Sequence, residues 1–563
     1  MTELDDRWNE KFHKDNDTEQ PEPRIEISYD DWQHALIEKY QKLYDIVKEN
    51  LPNLWDSLDF ELSIQKILNI KDCTLPFAGI LLGRPSSMKT VGIGMFRKWK
   101  HSFYTDNFSA KAFVSHSTAV KKQELEQIDL LPKIRNKLFL TPELSPTFTK
   151  KDDDLIEILG ILTRVLDGQG YESDTGAHGH RGYHGEYMFV WIGAAVDIPW
   201  KVHKFLGTLG PKLYFLRLPN TDRKENEYLD QIDTDDFIVK TNLIQGALID
   251  YLDWFEKCPE AITKDGIAKI KWNYERDDNE TKRFIVRLGI LLARLRGIIP
   301  TWETRDSQGI DYSYTFATIE DPERAIHQLR NLARGHALSR GRNYITMDDI
   351  SLVINVVFST ASTERVNIFE SLLNFGGKLT TSQITDYLNT SSNTAKRTMA
   401  ELKALGIVKI TEIQGKHGGS PEKQMVLDDK FKWFLSGEFK QLRDKAQCKN
   451  FTTLLVKERT TQHCILDDDK RGGGNFSYPA NDEQSKDEYP PDCYYCDEDF
   501  DGIGKQGYEK HVLDKHQKMV CYPGPADIEL YDLTPKGIWW EAPVDRSEDM
   551  KKFLNNPDSN DSD

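Results

Sequence analysis

The spacing of hydrophobic positions changes several times along this chain, and each change marks a different predicted element. From Trp32 to Val47, apolar residues recur at helical spacing, and a second helix is predicted near residues 58–68. Short apolar runs then alternate with helical stretches up to about residue 218. The runs are Phe77–Leu82, 112–114, 138–140, 187–192 and 213–218. This alternation predicts an α/β domain with a buried parallel sheet.

The second half of the chain has a different pattern. Residues 241–359 are predicted to be nearly all helix, and residues 364–436 to form three helices and a hairpin. The polar ends are predicted to be disordered. The predicted units are a disordered acidic N-terminus (1–25), a nucleotide-binding core with N-terminal helices (26–220), a helical lid (221–362), a winged helix (363–436), a linker (437–490), a zinc finger (491–523) and a tail (524–563).

Composition narrows the class of protein. The 563 residues carry a formal net charge of -17, so any nucleic-acid contact must come from local basic patches. No apolar run approaches the roughly 20 residues that span a bilayer, and no membrane partner is expected. The acidic N-terminus does not resemble a secretory signal, and seven cysteines do not suggest a disulfide scaffold. We therefore expect a cytoplasmic protein in a reducing compartment.

A candidate phosphate-binding loop follows the predicted strand Phe77–Leu82. In such loops backbone N–H groups cradle phosphates, a lysine reaches the β- and γ-phosphates, and a hydroxyl binds Mg²⁺. Lys89 and Thr90 stand at the spacing for the last two roles, whereas Met88 replaces the usual second glycine. The predicted ATP-binding residues are Gly83, Pro85, Ser86, Ser87, Met88, Lys89 and Thr90, with Thr90 on Mg²⁺. The alternative is a plain surface turn.

Glu143 is the candidate catalytic carboxylate. It lies just beyond the apolar run 138–140, where an ATPase places a carboxylate that polarises the attacking water. The Asp that usually stands beside this carboxylate is missing. The alternative is that Glu143 is a surface residue in a turn bounded by proline. Residues 168–185 are rich in Gly and His and predict no helix. His178, His180, Arg181 and His184 there are candidates for contacting DNA, and the alternatives are a metal site formed by the histidines or a plain flexible loop.

These motifs resemble the core of the minichromosome-maintenance (MCM) helicases, which are AAA+ ATPases. The loop from Gly83 resembles theirs, although they carry a small Ala where this chain has Met88. Residues 324–337, ending in His-Ala, resemble their sensor-2 helix, which implies that Arg324 contacts the γ-phosphate. The resemblance also implies a hexameric ring with the site between subunits. Lys212 and Arg217 are candidates for an arginine-finger role, although neither matches well.

A winged helix is predicted at residues 363–436. Its third helix exposes basic residues suited to phosphates and base edges, although such domains also bind proteins. The predicted DNA-binding residues are Lys396, Arg397, Lys403 and Lys416.

Four residues near the C-terminus have the spacing of zinc ligands. They are Cys493, Cys496, His511 and His516. Two Cys followed by two His on a predicted helix can complete a tetrahedral Zn²⁺ site in a small ββα finger.

Two functions fit these patterns. The first is an MCM-like AAA+ ATPase that uses ATP and Mg²⁺ to act on DNA as a helicase, translocase or remodeller. The alternative is an ATP-gated DNA-binding regulator or adaptor with little or no hydrolysis, which the missing Asp and the poorly matched finger favour.

Overall fold

The computed structural model describes residues 27–115, 124–175, 179–219, 225, 236–299, 301–306, 309–314, 316–414 and 422–446. All of them belong to one compact unit, Met1–Asp468, and a second unit spans Asp469–Asp563. The predicted zinc finger (491–523), most of the predicted linker and both predicted disordered ends lie outside the described residues. No helix of the described part is long and apolar enough to cross a bilayer.

The first half of the described chain builds an α/β core. Its longer helices are α1 (Tyr29–Asn50), α2 (Trp55–Ile67), α3 (Lys89–Met95), α4 (Asp152–Val165) and α5 (Trp200–Leu209). Its strands are β1 (Phe77–Leu82), β2 (Ser102–Tyr104), β3 (Leu138–Thr141), β4 (Gly170–Thr175), β5 (Gly179–His184), β6 (Val190–Ala195) and β7 (Leu213–Arg217). Short helices cover Leu125–Ile128, Leu130–Ile134 and Ser145–Phe148, and 3₁₀ turns cover Pro52–Leu54, Phe96–Lys98 and Ala110–Ala112.

Five of these strands form one parallel sheet in the order β2-β3-β6-β1-β7. In β1, Phe77 pairs with Val190 of β6, and Ala78 pairs with Leu213 of β7. Because the strands are parallel, their carboxyl ends meet at one edge of the sheet. The predicted parallel α/β sheet is confirmed, and β1, the strand that precedes the candidate phosphate loop, is an inner strand between β6 and β7.

Each face of the sheet packs against its own hydrophobic core. Phe77 and Leu81 of β1 join a core formed with α2 and the helices of the second half. Ala78, Ile80 and Leu82 point to the other side, into a core formed with α4 and α5. Burial on both faces explains why these strands read as continuous apolar runs in the sequence.

One predicted strand is wrong. Residues 112–114 follow the 3₁₀ turn Ala110–Ala112 and contribute Phe113 to the core as a buried loop side chain. The strand beside β3 is instead β2, whose three residues are all half-buried. A half-buried edge strand does not produce an apolar run, so the hydrophobic pattern missed it.

The second half is mainly helical, with two hairpins that the sequence analysis missed. The helices are α6 (Phe237–Phe255), α7 (Asn279–Leu295), α8 (Glu323–Ser339) and α9 (Ile350–Thr360), with a 3₁₀ turn at Met347–Asp349. The hairpins are β8 (Ile262–Lys264) with β9 (Ile267–Lys269), and β10 (Thr301–Asp306) with β11 (Gly309–Tyr314). The nearly all-helical interpretation of residues 241–359 is therefore wrong at these two positions.

A three-helix unit with a small sheet follows α9. It contains α10 (Thr363–Asn374), β12 (Lys378–Thr380), α11 (Thr381–Leu388), α12 (Ser392–Ala404), β13 (Val408–Ile413) and β14 (Glu422–Leu427), then a 3₁₀ turn at Asp429–Leu435 and α13 (Gly437–Lys445). Ser391 caps α12, since its hydroxyl accepts the Thr394 N–H at 3.1 Å. This local order of elements is the one that the sequence pattern indicates; the winged-helix assignment itself stays a prediction.

Candidate functional site

The phosphate-loop candidate connects the carboxyl end of β1 to α3. Ser86 and Met88 both have φ near 65°. Met88 is the residue before the first turn of α3, and its carbonyl accepts the Gly92 N–H at 2.9 Å. The backbone thus takes at Met88 the left-handed conformation that glycine adopts freely, at a cost for methionine of about 1–2 kcal/mol. Met88 therefore adopts a backbone conformation that is more usual for glycine.

Gly83 begins the loop in close contact with Ser87, so a side chain at residue 83 would displace the Ser87 hydroxyl. A Cβ atom there would lie 2.7 Å from the Ser87 hydroxyl. The Ser87 N–H donates to the Arg84 carbonyl at 3.3 Å, which closes the turn. Arg84, Pro85 and Ser86 are exposed, so the tip of the loop faces solvent.

The Lys89 ammonium lies at the centre of this loop. It donates to the carbonyls of Gly83 (2.6 Å) and Arg84 (2.7 Å) and to the Ser87 hydroxyl (3.0 Å). Burial lowers the pKa of Lys89, and the nearby Glu143 carboxylate acts in the opposite direction. The adjacent Thr90 is exposed at the start of α3. The fold therefore brings Lys89, Thr90 and Glu143 to the same edge of the sheet.

Glu143 follows β3, two strands away from β1. Its side chain is exposed, and Oε1 accepts the Ser145 N–H at 2.8 Å. That bond holds the carboxylate over the first turn of the short helix Ser145–Phe148. Asp152, Asp153 and Asp154 begin α4, and Asp152 pairs with Lys201 at 3.2 Å.

Asp197 and Arg217 form an ion pair at the same edge. Asp197 follows β6 and Arg217 ends β7, and their side chains meet at 3.0 Å. Since β6 and β7 flank β1, the pair bridges the two strands on either side of the phosphate loop. The Arg217 guanidinium also reaches the Thr363 hydroxyl at 3.4 Å.

Arg324 is at the opposite edge of the sheet. Its guanidinium donates to Asp167 (2.9 Å) and to the Leu166 carbonyl (3.1 Å). In the same helix, Gln328 donates to the carbonyl of Pro76, the residue before β1, at 2.7 Å. A six-residue strand is about 20 Å long, so within one chain Arg324 and Lys89 are not brought together.

Lys212 shares Asp167 with Arg324. Its ammonium lies 2.6 Å from the Asp167 carboxylate. Burial would raise the pKa of Asp167, but the two cations outweigh it and hold the pKa below the ordinary value. Lys212 precedes β7, so this cluster is at the amino edge of the sheet and not at the phosphate loop.

The glycine- and histidine-rich segment forms the β4–β5 hairpin. Arg181 approaches the buried Asp129 at 3.4 Å, and the Tyr183 hydroxyl donates to the same carboxylate at 2.8 Å. His180 lies between Asp174 and Glu172, whose hydrogen bonds and charges raise its pKa. His180 therefore has acidic partners on the hairpin itself, and Arg181 has one outside it, Asp129, which lies between two short helices.

The predicted DNA-binding residues separate in the structure. Lys396 and Lys403 are exposed on α12. Arg397 lies 3.6 Å from Glu401, one turn along the same helix, and lines a cleft that faces the α/β core. Lys416, His178 and the four candidate zinc ligands lie outside the described residues. Within the described ranges no group of three or more His, Cys, Asp or Glu side chains is placed to hold a metal ion.

Sequence reasoning missed Glu61, a buried carboxyl group that packs against α3. A Cβ atom on Gly92 would lie 2.7 Å from Glu61 Oε1, so a larger residue there would displace the carboxyl group. Neither carboxyl oxygen has a hydrogen-bond partner in the described part of the chain, and burial raises the pKa of Glu61 well above its usual range. The available signal was the helical glycine Gly92, which marks a close approach of another element.

Comparison with known proteins gives only distant structural similarity. No family model and no curated protein matches the chain. A full-length MCM homolog from Methanopyrus kandleri is 11% identical with a TM-score of 0.32, over 61% of this chain and 63% of that one. The C-terminal region of NrS-1 is 10% identical with a TM-score of 0.19, over 73% of this chain and 79% of that one.

The Aeropyrum pernix ORC1 protein, solved in complex with DNA, is 11% identical with a TM-score of 0.17, over 77% of this chain and 95% of that one. The chain spans under two thirds of the length of the MCM homolog. At TM-scores this low, function has to be inferred from the residues of the site.

Proposed function

We propose that this protein is an MCM-like AAA+ ATPase that binds ATP and Mg²⁺ at residues 83–90 and acts on DNA as a helicase, translocase or remodeller. One observation carries the proposal. Lys89 holds its ammonium at the centre of a tight loop at the carboxyl end of the inner strand β1, and Glu143 faces the same edge.

The loop supplies the groups that a triphosphate requires. The Lys89 ammonium exchanges the carbonyls of Gly83 and Arg84 for β- and γ-phosphate oxygens, which are stronger acceptors because they are charged. Backbone N–H groups of residues 86–89 supply further donors, and the exposed Thr90 hydroxyl is a ligand for Mg²⁺. Pro85 donates no N–H and stiffens the tip of the loop.

Glu143 is the base that we assign to hydrolysis. Its Oε1 is held by the Ser145 N–H, which leaves the second oxygen to orient and deprotonate a water. Since Arg324 lies at the amino edge of its own sheet, a γ-phosphate contact by Arg324 requires the loop of a second copy. A ring of subunits, as the MCM resemblance implies, would supply that arrangement.

The alternative function, an ATP-gated DNA-binding regulator or adaptor, also has support. Both candidates for an arginine finger are engaged in ion pairs, Lys212 with Asp167 and Arg217 with Asp197. A cation that stays paired does not stabilise the charge that develops in phosphoryl transfer. In that case ATP would order the assembly without being consumed.

ATP turnover by the full chain distinguishes the two functions. We would compare wild type with Lys89→Ala, Glu143→Gln and the exposed-lysine control Lys98→Ala, with and without single- and double-stranded DNA. The ATPase proposal expects DNA-stimulated turnover that Lys89→Ala and Glu143→Gln each reduce at least about 100-fold. Tight ATP binding through Lys89 with no turnover under any DNA condition supports the regulator instead.

Mixing experiments test the role of Arg324. Lys89→Ala and Arg324→Ala subunits are each expected to be inactive alone. If Arg324 serves the neighbouring loop, a mixture contains interfaces with an intact Lys89 and an intact Arg324, and partial turnover returns. Mixtures as inactive as the separate variants, although they assemble as wild type does, would contradict this role.

DNA contact is assigned to the α12 surface. Lys396 and Lys403 are exposed there, and such side chains bind phosphates and release counterions. The double variant Lys396→Gln/Lys403→Gln should weaken DNA binding and reduce its salt dependence, whereas Lys98→Gln should not. Salt dependence equal to wild type would exclude α12 as the contact.

Zinc is proposed for Cys493, Cys496, His511 and His516. Metal analysis of the purified chain should find about one Zn²⁺ per chain, and Cys493→Ser should lose it. Cys464→Ser is a matched control, since Cys464 has no histidine or cysteine at zinc-finger spacing. Zinc retained by the Cys493→Ser chain would show that these residues are not the ligands.

A further inference from the structure

A second concave site lies on the face of the sheet opposite α3. It is a cleft of about 770 Å³ between α5, the segment that follows α7, and the helices α10 and α12. This volume is within the range of about 300–1,000 Å³ that small-molecule sites occupy. The phosphate loop contributes no residue to it, so its ligand is a separate question from ATP binding.

The apolar part of the cleft ends in an exposed tryptophan. Leu206, Leu213, Phe215 and Ile298 supply buried or packed apolar surface. Trp200, at the start of α5, also lines the cleft, and its exposed fraction is 57%. A large indole ring held at the mouth of a pocket offers a flat surface on which an aromatic ring can stack.

Lys204 places a positive charge beside that surface. It lies four residues after Trp200 on α5, so the two side chains share one face of the helix. Lys204 is exposed and, among the described residues, has no carboxylate within ion-pair distance. The neighbouring Lys201 differs, since its ammonium is paired with Asp152 on the other side of the helix.

Buried hydrogen-bond donors face the interior of the cleft. The Arg365 guanidinium donates to the carbonyls of Leu295 (2.9 Å) and Gly297 (2.6 Å), which fixes its position 5.9 Å from the Trp200 ring. Its Nε faces the Glu401 carboxylate at 3.5 Å, a long ion pair that opposes the effect of burial on the pKa of Arg365. An anionic acceptor on a bound ligand would make a shorter hydrogen bond to this buried cation than Glu401 does.

The charges of the cleft favour an anion. Glu320 lies outside the cleft but pairs with Arg296, so we count it with the carboxylates of the cleft. The cations still exceed the carboxylates by one. The cations are Lys204, Arg296, Arg365 and Arg397, and the carboxylates are Glu320, Glu364 and Glu401. His203 adds no charge at neutral pH, because burial lowers its pKa to about 4. In a chain with a net charge of -17, this local excess of positive charge is notable.

We propose that the cleft binds a planar anion of nucleotide size, with its ring stacked on Trp200 and its anionic group between Lys204 and Arg365. A nucleoside monophosphate is the smallest common ligand that has both features. Such a ligand would contact the core, the helical region and the α10–α12 unit at once. Binding of this ligand would therefore affect how α12, with its exposed face, is positioned relative to the core.

Adenosine monophosphate is the probe that tests this site. The full chain is titrated by calorimetry and by saturation-transfer NMR, as wild type and as Trp200→Ala, Lys204→Gln and Lys89→Ala variants. We expect saturable binding to wild type and equally to Lys89→Ala, because the phosphate loop is not involved. Trp200→Ala should weaken binding about tenfold through lost stacking, and Lys204→Gln about three- to tenfold through lost charge.

The matched control is Lys201→Gln, which changes the same residue type on the other face of α5 and should bind as wild type does. Absence of saturable binding to wild type overturns the proposal. So does binding that Lys89→Ala abolishes and Trp200→Ala does not change, since the probe would then occupy the phosphate loop. Failure of ATP to bind at Lys89 would leave these outcomes unaffected, so the two proposals fail separately.

Discussion

Met88 shows how one residue can depart from a motif and still preserve its geometry. Its φ of 65° is in the left-handed region, where a side chain costs about 1–2 kcal/mol relative to glycine. The Met88 side chain is half-buried and packs against the larger core, and such burial recovers part of that cost. A flexible unbranched chain suits this position better than a β-branched one, which is rarely found at positive φ.

Substitution at residue 88 tests this account. Met88→Gly relieves the backbone cost but loses packing and gains unfolded-state entropy, so the free energy of unfolding should stay within about 1 kcal/mol of wild type. Met88→Ile should lower it by about 1–2 kcal/mol, because its β-branch clashes at positive φ. Urea unfolding measures both. An isoleucine variant as stable as the glycine variant would show that residue 88 is not strained.

Single residues also show what the sequence could and could not predict. The spacing from Gly83 to Thr90 was sufficient to locate the loop, because a strand, a turn and a helix are local. The partner of Arg324 was not predictable, since Asp167 is 157 residues away and reaches it only through the folded sheet. The edge of the sheet can be read from sequence for a residue next to a strand, such as Glu143, but not for Arg324, whose helix packs against the sheet from far along the chain.

At the scale of elements, the packing of α8 on α2 depends on one glycine. A Cβ atom on Gly335 would lie 2.0 Å from the Ser63 carbonyl oxygen. Backbone cannot move aside as a side-chain tip can, so the two helices approach closely only because residue 335 has no side chain. This contact anchors the helix that carries Arg324 and Gln328 against the core.

Gly335→Ala should therefore lower the free energy of unfolding by about 2–3 kcal/mol, because the added methyl group forces the helices apart. Gly160→Ala is the matched control, since residue 160 is also inside a helix and a Cβ there meets no atom within 4 Å. That change should stabilise the protein by about 0.5–1 kcal/mol through helix propensity. Equal effects of the two substitutions, measured by denaturant unfolding, would refute the close contact.

The elements that sequence analysis missed lack an apolar run, and β2, β8 and β9 also have only three residues each. All three residues of β8 are exposed and all three of β9 are buried, so neither alternates as a half-buried strand does. Buried parallel strands such as β1 and β6 were predictable because both faces are covered. Hydrophobic pattern therefore identified the sheet and the major helices but not the hairpins between them.

At the scale of the whole molecule, the free energy of unfolding depends on titratable side chains that folding removes from water. Burial lowers the pKa of His203 to about 4, and Arg217, Arg365 and Arg296 act in the same direction while Asp197 opposes them. His101 has a similarly lowered pKa, mainly through burial. The buried Asp349, which accepts from His336 and Arg342, has its pKa held below the ordinary value. The contribution of Asp349 to the free energy of unfolding is lost only at a pH below the range in which the contributions of His203 and His101 are lost.

These shifts predict a specific loss of stability in mild acid. Because the pKa of His203 is lower in the folded protein than in the unfolded chain, the unfolded chain binds more protons between about pH 6.5 and 4. The contribution of the neutral His203 to the free energy of unfolding is complete above pH 6.5. It decreases as pH falls, by up to about 1.4 kcal/mol per pH unit. His203→Gln removes this proton uptake. Between pH 7.5 and pH 4.5, the free energy of unfolding of wild type should therefore fall by about 2 kcal/mol more than that of the variant.

Carboxyl groups such as Glu320, whose pKa is raised mainly by burial, are common to both proteins and cancel in that comparison. His327→Gln is the control, since it makes the same change at a histidine whose side chain is 60% exposed and lies outside the cleft. If the wild-type and His203→Gln profiles run parallel across this range, His203 does not titrate on unfolding, and its ring must be reachable by protons in the folded state. The cleft that it lines would then be more open to water than its packing between Trp200 and Phe215 indicates.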